Sequence, residues 1–241
     1  TVDVAQNTTR TRVWLDDAPL TAGDHDGNPA WSPDGRFLAF TSRRGEKQGD
    51  STLHVLPLSV PGELRTVCTM PDGLGDVAWS PDGRWLAFTS RTRHERYEAQ
   101  GPAWQLPRKV ERFFSRLNGE DWTFDRPQHV YVVAADGTGA PRNLTPGEFA
   151  HQGISWLRDS TGIVTAAQRH ETWDLDRATD LYVASLEPTD DDLRSLTGHD
   201  GPYARPSVSP DGSHVAFIGR GDPSTSPQNA KSGILPIASL E

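Results

Sequence analysis

Apolar and polar residues alternate in short runs along the chain, and one such run is repeated. The clearest copy is Pro29 to Ser42, in which apolar residues flank the turn sequence Ser-Pro-Asp-Gly-Arg. It recurs almost unchanged at Val77 to Ser90, nearly complete at Val208 to Ile218, and in degenerate form at Ile154 to Val164. Alternation with a period of two predicts a pair of half-buried β-strands in each copy. A fixed repeat also predicts that the copies form similar structural units side by side.

The turn inside each copy has a physical basis. Proline presets φ at the first central position, aspartate suits the second, and glycine accepts the left-handed conformation that follows. The sequence therefore predicts a tight hairpin with a bulge, and a tryptophan before the turn is expected to fill the layer between neighbouring sheets. The residues assigned to these structural turn motifs are Trp31, Pro33, Asp34, Gly35, Trp79, Pro81, Asp82, Gly83, Pro210, Asp211 and Gly212.

The remainder of each unit repeats as well. An apolar third strand is predicted after each hairpin, and a short fourth strand that ends near Leu-Thr follows the first three hairpins. Four strands per unit, repeated about every 50 residues, are typical of a β-propeller blade. The predicted fold is therefore all-β, with about four four-stranded blades in a single partial propeller domain. The blade motifs fall at residues 29–69, 77–145, 154–197 and 206–241.

The second unit contains an insertion, because the spacing from Trp79 to Trp156 is much longer than that from Trp31 to Trp79. The additional residues lie within 91–128, between the second and third strands of that blade. Apolar and charged residues alternate at near-helical spacing over 110–117, which predicts a short amphipathic helix. In one interpretation the apolar face of this helix packs on the rim of the propeller.

The two ends of the chain predict incomplete blades. Residues 13–15 and 19–21 have the pattern of the last two strands of a preceding blade, and the fourth blade ends after its third strand, near Ile237. Unpaired strand edges favour self-association. Either the ends complete one small closed ring, or the chain is part of a longer propeller.

The amino-acid composition excludes some classes of binding partner. Hydrophobic residues make up 34% of the chain and the mean hydropathy is −0.61, but eight tryptophans and the repeat argue against disorder. The net charge of −9 argues against nucleic acid as the main partner. No apolar run approaches the ~20 residues that span a bilayer, so no membrane association is predicted. A cytoplasmic location is expected, with export left open because the chain begins at Thr1 without a methionine.

The sequence predicts no catalytic residue, metal or cofactor. The single cysteine, Cys68, lies in a predicted strand and is interpreted as a small buried apolar residue. His94-Glu95 and His170-Glu171 are adjacent pairs, and neighbours in a strand point to opposite faces, so neither pair is suited to hold one ion. No serine lies in a Gly-x-Ser-x-Gly sequence, the nucleophile elbow of α/β-hydrolases.

These motifs resemble a known family. The Trp-Ser-Pro-Asp-Gly-Arg hairpins are similar to those in propellers of prolyl oligopeptidase family serine peptidases, and also to those of Tol-type periplasmic propellers. The segment from Arg108 through Trp122 to Val133, together with Leu20 to Asp26, resembles the acylaminoacyl-peptidase-like branch of the first family. The likeness extends along nearly the whole chain.

The resemblance implies a role. In that family a propeller, usually of seven blades, caps an α/β-hydrolase domain and restricts entry to small peptides. The chain would then be an N-terminal propeller region, inactive alone, whose partners are the hydrolase domain of the same polypeptide and the peptide substrates of the parent enzyme. The resemblance also favours a second interpretation of the insertion, in which it lines the substrate route with Arg112, Phe114 and Glu120.

Two other functions remain open from the sequence. A Tol-type propeller would act as a protein-interaction module, with an export signal upstream and no hydrolase domain downstream. An autonomous propeller enzyme would need acids, bases or metal ligands that converge from several blades, and the sequence shows no such set.

Overall fold

The structure is a computed structural model, and its secondary structure consists of strands and loops. It describes residues 2–4, 8–43, 50–59, 62–92, 107, 109–110, 115–117, 121–187, 193–198, 200–219 and 229–237. Within these ranges there is no helix, and hence none long and apolar enough to cross a membrane. The chain forms two compact units, one of residues 1–90 with 132–142 and one of residues 91–131 with 143–241.

The chain begins with two short antiparallel hairpins and then forms its first complete sheet. The hairpins pair β1 (Val2–Asp3) with β2 (Thr8–Thr9), and β3 (Trp14–Leu15) with β4 (Ala18–Pro19). The sheet is antiparallel and contains, in spatial order, β5 (Asp26–Trp31), β6 (Phe37–Ser42), β7 (Ser51–Pro57) and β8 (Arg65–Met70).

Three further sheets follow the same order of strands. The second contains β9 (Gly75–Trp79), β10 (Trp85–Arg91), β13 (Gln128–Ala134) and β14 (Arg142–Asn143), and the hairpin of β11 (Arg116–Leu117) and β12 (Asp121–Trp122) lies between β10 and β13 in the chain. The third contains β15 (His151–Trp156), β16 (Gly162–Ala167), β17 (Asp180–Ser185) and β18 (Leu193–Ser195). The fourth has three described strands, β19 (Ala204–Val208), β20 (His214–Gly219) and β21 (Lys231–Pro236).

The helix predicted in the insertion is wrong for the residues that can be tested. Arg116 pairs with Trp122 and Leu117 with Asp121 in an antiparallel hairpin, while residues 111–114 of the predicted helix lie outside the described ranges. The Arg116 guanidinium lies 5.7 Å from the centre of the Trp122 ring, a contact between directly opposed residues that stabilises a hairpin. The intervening sequence includes Asn118-Gly119, a strong hairpin signal that outweighs the short helical period.

The Ser-Pro-Asp-Gly turns are organised by one carboxylate each. In the first, Asp34 Oδ1 accepts hydrogen bonds from Ser32 Oγ at 2.6 Å and from the Arg36 amide at 3.0 Å. Gly35 follows with φ of +70°, in the left-handed region. Asp82 and Asp211 have the same pair of contacts in the second and fourth sheets, and Gly83 and Gly212 have similar φ values. In the degenerate third copy, Ser160 occupies the left-handed position with φ of +63°.

At three places along the chain, a threonine side chain hydrogen-bonds the neighbouring strand just after a short last strand ends. The Thr145 hydroxyl accepts the Val130 amide at 3.0 Å, and the neighbouring Leu144 amide donates to the Val130 carbonyl at 2.8 Å. Thr197 and Leu196 make the same two bonds to Leu181. Val13 receives the same pair from Thr21 and Leu20, so residues 13–21 have the bonding of the last two strands of a blade.

Each first strand contains a bulge that the sequence analysis did not predict. The register shifts within β5, β15 and β19, and also opposite β9, where β10 slips between Ala87 and Thr89. A residue with left-handed φ lies in each of these strands, three positions before its last residue: Asn28, Asp76, Gly153 and Arg205. A bulge strengthens the local twist of a strand, as expected where sheets pack face to face with a rotation between them.

Apolar side chains from the central strands fill the interior of each unit. In the first unit, Val13, Leu38 and Phe40 form a buried cluster against Leu20, Leu56 and Leu58, so the β3–β4 hairpin packs on β6 and β7. In the second unit, a larger cluster joins the third and fourth sheets; its buried members are Leu157, Val164, Ala166, Leu181, Val183 and Val215.

Candidate functional site

A groove between two hairpin turns forms the cavity of the first unit. Its volume is about 530 Å³, and it lies between the Ser32–Arg36 turn and the Pro81–Gly83 turn. Phe37 and Trp79 form an aromatic wall with ring centres 6.4 Å apart and an angle of 29° between the rings. The indole nitrogen of Trp79 donates to the Ala30 carbonyl at 3.0 Å, which fixes the ring between the two sheets.

The charged side chains of this groove have partners within the fold. Arg36 Nε lies 3.0 Å from Asp34 Oδ2, and its guanidinium lies 5.7 Å from the Phe37 ring centre. Hydrogen bonds from Ser32 and the Arg36 amide lower the pKa of Asp34. Bonds from Thr138 likewise lower the pKa of Asp136. The groove therefore carries ionised carboxylates beside an aromatic wall at neutral pH.

The serines of the groove do not form a nucleophilic site. The Ser32 hydroxyl of the groove donates to Asp34, and no histidine is among the lining residues. Ser80, which is next in sequence to the lining residues Trp79 and Pro81, donates its hydroxyl to Asp82 at 2.5 Å. A serine nucleophile needs a base that accepts its proton. Among the described residues, no group of three or more His, Cys, Asp or Glu side chains is placed to hold a metal ion. The described lining residues of the groove therefore contain no serine paired with a base.

A second polar site, here called the Arg169 cluster, lies in the second unit at the end of β16. It consists of Arg169, His151, Tyr182 and Phe149, with His129 nearby. The Arg169 guanidinium carbon lies 5.0 Å from the Phe149 ring centre and 6.0 Å from the Tyr182 ring centre. Arg169 Nη1 lies 3.4 Å from Nε2 of His151, whose side chain is 0% exposed at the start of β15.

Burial is the main cause of the lowered pKa values of the two histidines at this site. It lowers the pKa of His151 to about 3, and the charges of Arg169 and His129 add to the effect. Burial also lowers the pKa of His129, whose Nδ1 lies 3.4 Å from the Thr145 hydroxyl. Both imidazoles are therefore neutral at pH 7, and Arg169 supplies the only positive charge of the cluster.

The loop after Arg169 is held by one carboxylate. Asp176 accepts from His170 Nε2 at 2.9 Å, from the Thr172 hydroxyl at 2.7 Å and from the Ala178 amide at 2.8 Å. Within this loop Trp173 packs edge-on against Phe149, with ring centres 5.8 Å apart. The loop thus supports the aromatic ring on which Arg169 lies.

Some of the residues singled out from the sequence lie in the groove, and others lie outside the described residues. Arg112, Phe114 and Glu120 lie outside the described residues, so their role in the substrate route stays a prediction. Six turn-motif residues line the groove: Pro33, Asp34, Trp79, Pro81, Asp82 and Gly83. Trp79 packs between two sheets and Trp156 is buried, but Trp31 is 52% exposed.

Sequence reasoning did not find the Arg169 cluster. The available signal was weak: His129 and His151 each lie near the start of a strand that is otherwise largely apolar, and Arg169 directly follows another such strand. A polar residue at a strand end is ordinary. Only the three-dimensional structure shows that these three residues share one site, through the Arg169–His151 contact and the effect of the His129 charge on His151.

No protein-family model and no curated protein sequence matches the chain. Solved structures do match it. An acylaminoacyl peptidase from Pyrococcus horikoshii is 16% identical over 91% of this chain and 32% of its own, with a TM-score of 0.64. A puromycin-hydrolyzing peptidase from Mycobacterium tuberculosis is 17% identical over 93% of this chain and 30% of its own, with a TM-score of 0.58. TolB from Acinetobacter baumannii is 18% identical over 89% and 41%, with a TM-score of 0.56.

These likenesses define the class of protein. The successive antiparallel sheets, the shared strand order and the structural neighbours confirm the predicted fold, an all-β propeller. The chain spans less than half the length of each of these three proteins.

Proposed function

We propose that this chain is the propeller region of a serine peptidase of the prolyl oligopeptidase family, and that it selects peptide substrates without cleaving them. The observation that carries the proposal is the likeness to two peptidases over about nine-tenths of the chain, with a higher TM-score for the acylaminoacyl peptidase than for TolB. The motifs of the insertion and of residues 20–26 favour the same family.

The chemistry of the described residues is consistent with a non-catalytic role. Ser32 in the groove and Ser80 beside it donate to carboxylates, and His151 and His129 are buried and neutral. A peptidase reaction therefore requires a nucleophile, a base and an oxyanion site from another domain. In this proposal that domain is an α/β-hydrolase of the same polypeptide, and the propeller limits which peptides reach it.

An interaction module of the Tol type is the second candidate function. The TolB likeness covers 89% of the chain, so the fold is equally compatible with it. Such a module would bind a protein partner and would need neither a hydrolase domain nor a substrate route. The insertion between β10 and β13 favours the peptidase, because an arm beside a propeller has an evident use where substrates pass.

The coding sequence beyond Glu241 discriminates between the two functions. For the peptidase we expect the reading frame to continue to a Gly-x-Ser-x-Gly elbow, followed by an aspartate and a histidine in that order. For a Tol-type module we expect an export signal upstream of Thr1 and no hydrolase domain downstream. A stop codon directly after Glu241 would contradict the peptidase proposal.

A further inference from the structure

We propose that the Arg169 cluster is a binding site for a carboxylate group. This inference goes beyond the proposed function, since it concerns the propeller itself and requires no hydrolase domain. It rests on the geometry around one guanidinium in the second unit. The ligand class is a monoanionic carboxylate, carried either by the C-terminus of a peptide or by a small organic acid.

Arg169 lacks an anionic partner among the described residues. Among the residues that the structure describes, its polar contact is with His151, an imidazole that is neutral at pH 7. Its other contacts are with the rings of Phe149 and Tyr182. A guanidinium has five N–H donors, so most of its donors have no acceptor within the described part of the fold. Their planar fork matches the two oxygens of a carboxylate.

The Arg169 guanidinium is held in place by aromatic rings before any ligand binds. The rings of Phe149 and Tyr182 restrict it, and Tyr182 also packs edge-on against His151 with ring centres 6.3 Å apart. Trp173 in turn supports Phe149. An arginine whose side chain is already ordered loses little conformational entropy when it binds an anion. The site is therefore more favourable for binding than a solvent-exposed arginine.

The Arg169 guanidinium is also partly removed from solvent. Arg169 is half-buried, and burial lowers the pKa of its guanidinium. A partly desolvated cation without a counter-ion is costly, and an ion pair is stronger where aromatic walls exclude water. Partial exposure leaves the guanidinium within reach of a ligand from solvent.

The buried imidazole of His151, beside Arg169, has a hydrogen-bonding atom without a partner, which costs folding free energy. When Nε2 of His151 accepts from Arg169, the proton of the neutral ring lies on Nδ1. That nitrogen is buried and has no hydrogen-bond acceptor among the described residues. An unsatisfied buried donor costs about 1–3 kcal/mol. The fold tolerates this cost at the position where His151 orients Arg169, which is typical of functional sites.

Charge favours a carboxylate over a phosphate. One arginine balances a single negative charge, and both nearby histidines are neutral at pH 7. A phosphate monoester carries a charge of about −1.5 to −2 and is bound where several cations or backbone amides converge. No second cation contacts the described side chains of this cluster.

Calorimetric titration of the 241-residue chain tests the proposal with three probes. They are acetyl-Gly-Phe with a free carboxylate, the same peptide as its C-terminal amide, and sodium acetate, all at pH 7 and low ionic strength. We expect the free acid to bind at least tenfold more tightly than the amide. If acetate binds as tightly as the acid, the natural ligand is a small organic acid; if only the peptide acid binds, it is a peptide C-terminus.

Variants connect the binding to Arg169. We expect R169Q to weaken binding of the acid at least tenfold and R169K to give an intermediate loss, because lysine keeps the charge without the fork. The matched control is R12Q, since Arg12 lies outside both sites and already pairs with Asp24 at 2.9 Å, and it should bind as the wild type does. F149L removes one ring that restricts the guanidinium and should weaken binding several-fold while the near-UV spectrum stays native.

Three outcomes would overturn the inference. The first is equal affinity for the acid and the amide. The second is unchanged affinity in R169Q with a native spectrum. The third is no detectable binding of any carboxylate at about 10 mM, where even a millimolar site would be largely occupied. Because these measurements use the propeller chain alone, they fail or succeed independently of the peptidase proposal.

Discussion

Single side chains with buried polar contacts hold the repeated units together. Thr145 is 0% exposed, and its hydroxyl accepts the amide of Val130 inside the second sheet. Thr21 and Thr197 make the same bond to Val13 and Leu181, so a threonine hydroxyl joins the last two strands at three places along the chain. Single side chains also matter in the Arg169 cluster, where the lowered pKa values of two buried histidines make the stability of the fold depend on pH.

Replacing Thr145 by valine keeps the shape and removes the acceptor. The Val130 amide then has no partner in a buried position, so we expect T145V to lower the free energy of unfolding by about 1–3 kcal/mol. Urea denaturation followed by tryptophan fluorescence measures the change. The control is T66V, an exposed threonine on β8, with an expected change within about 0.5 kcal/mol. Equal effects of the two variants would contradict the role assigned to Thr145.

His151 makes stability depend on pH in the acid range. Burial lowers the folded-state pKa to about 3, whereas an unfolded histidine titrates near its ordinary value of 6.5. Between these values the unfolded state binds more protons, so stability falls as the pH falls through this window. For this residue alone we expect a loss of about 2 kcal/mol between pH 7 and pH 5. His129 is shifted in the same direction and adds to the loss.

Urea denaturation at pH 7 and pH 5 measures this dependence. The H151Q variant should lose much of it, while H214Q, a change at an exposed histidine, should keep the wild-type dependence. An unchanged dependence in H151Q would show that His151 is accessible to protons in the folded state. That result would also remove the neutral imidazole from the account of the Arg169 cluster.

At the scale of strands and sheets, the tryptophans that precede the first two hairpin turns, Trp31 and Trp79, have different surroundings. Trp79 fixes the contact between the first two sheets through its bond to the Ala30 carbonyl, while Trp31 is half exposed. We expect W79F to destabilise the protein by about 1 kcal/mol or more, since it removes a part-buried hydrogen bond and part of the packed ring. W31F is the matched control and should change stability by less than about 0.5 kcal/mol. Urea denaturation distinguishes them, and a reversed order would contradict this packing.

The elements that the sequence predicts well are those whose cause is local. The Ser-Pro-Asp-Gly turns need only neighbouring residues, so their strands are found where the repeat places them. The bulges were missed because their left-handed residues are Asn28, Asp76, Gly153 and Arg205, which share no residue type. In the insertion, the predicted helix is wrong at Arg116 and Leu117, which pair with Trp122 and Asp121 in a hairpin, because a short helical period does not include the cross-strand partners. The Arg169 cluster depends on contacts between distant strands, which no local pattern reveals.

At the scale of the whole molecule, an unpaired strand edge favours self-association of the chain. In the described residues β21 pairs with β20 on one side only, and Ile234 on it is 73% exposed. Unpaired edges with apolar side chains favour pairing between chains. We expect sedimentation velocity to show a mass that rises with concentration for this chain. I234K should reduce the association, whereas L175K, a change at an exposed loop leucine, should not. A monomer at all concentrations would contradict this expectation.

The central claim is that the propeller selects substrates for a peptidase. The most direct test measures peptide hydrolysis by the protein encoded by the full reading frame that contains this chain. We predict that it cleaves short peptides, that it leaves intact casein largely uncleaved, and that replacing the elbow serine by alanine abolishes cleavage. The 241-residue chain assayed alone should be inactive. A full-length protein with no peptidase activity, or one that degrades casein as fast as short peptides, would contradict the account.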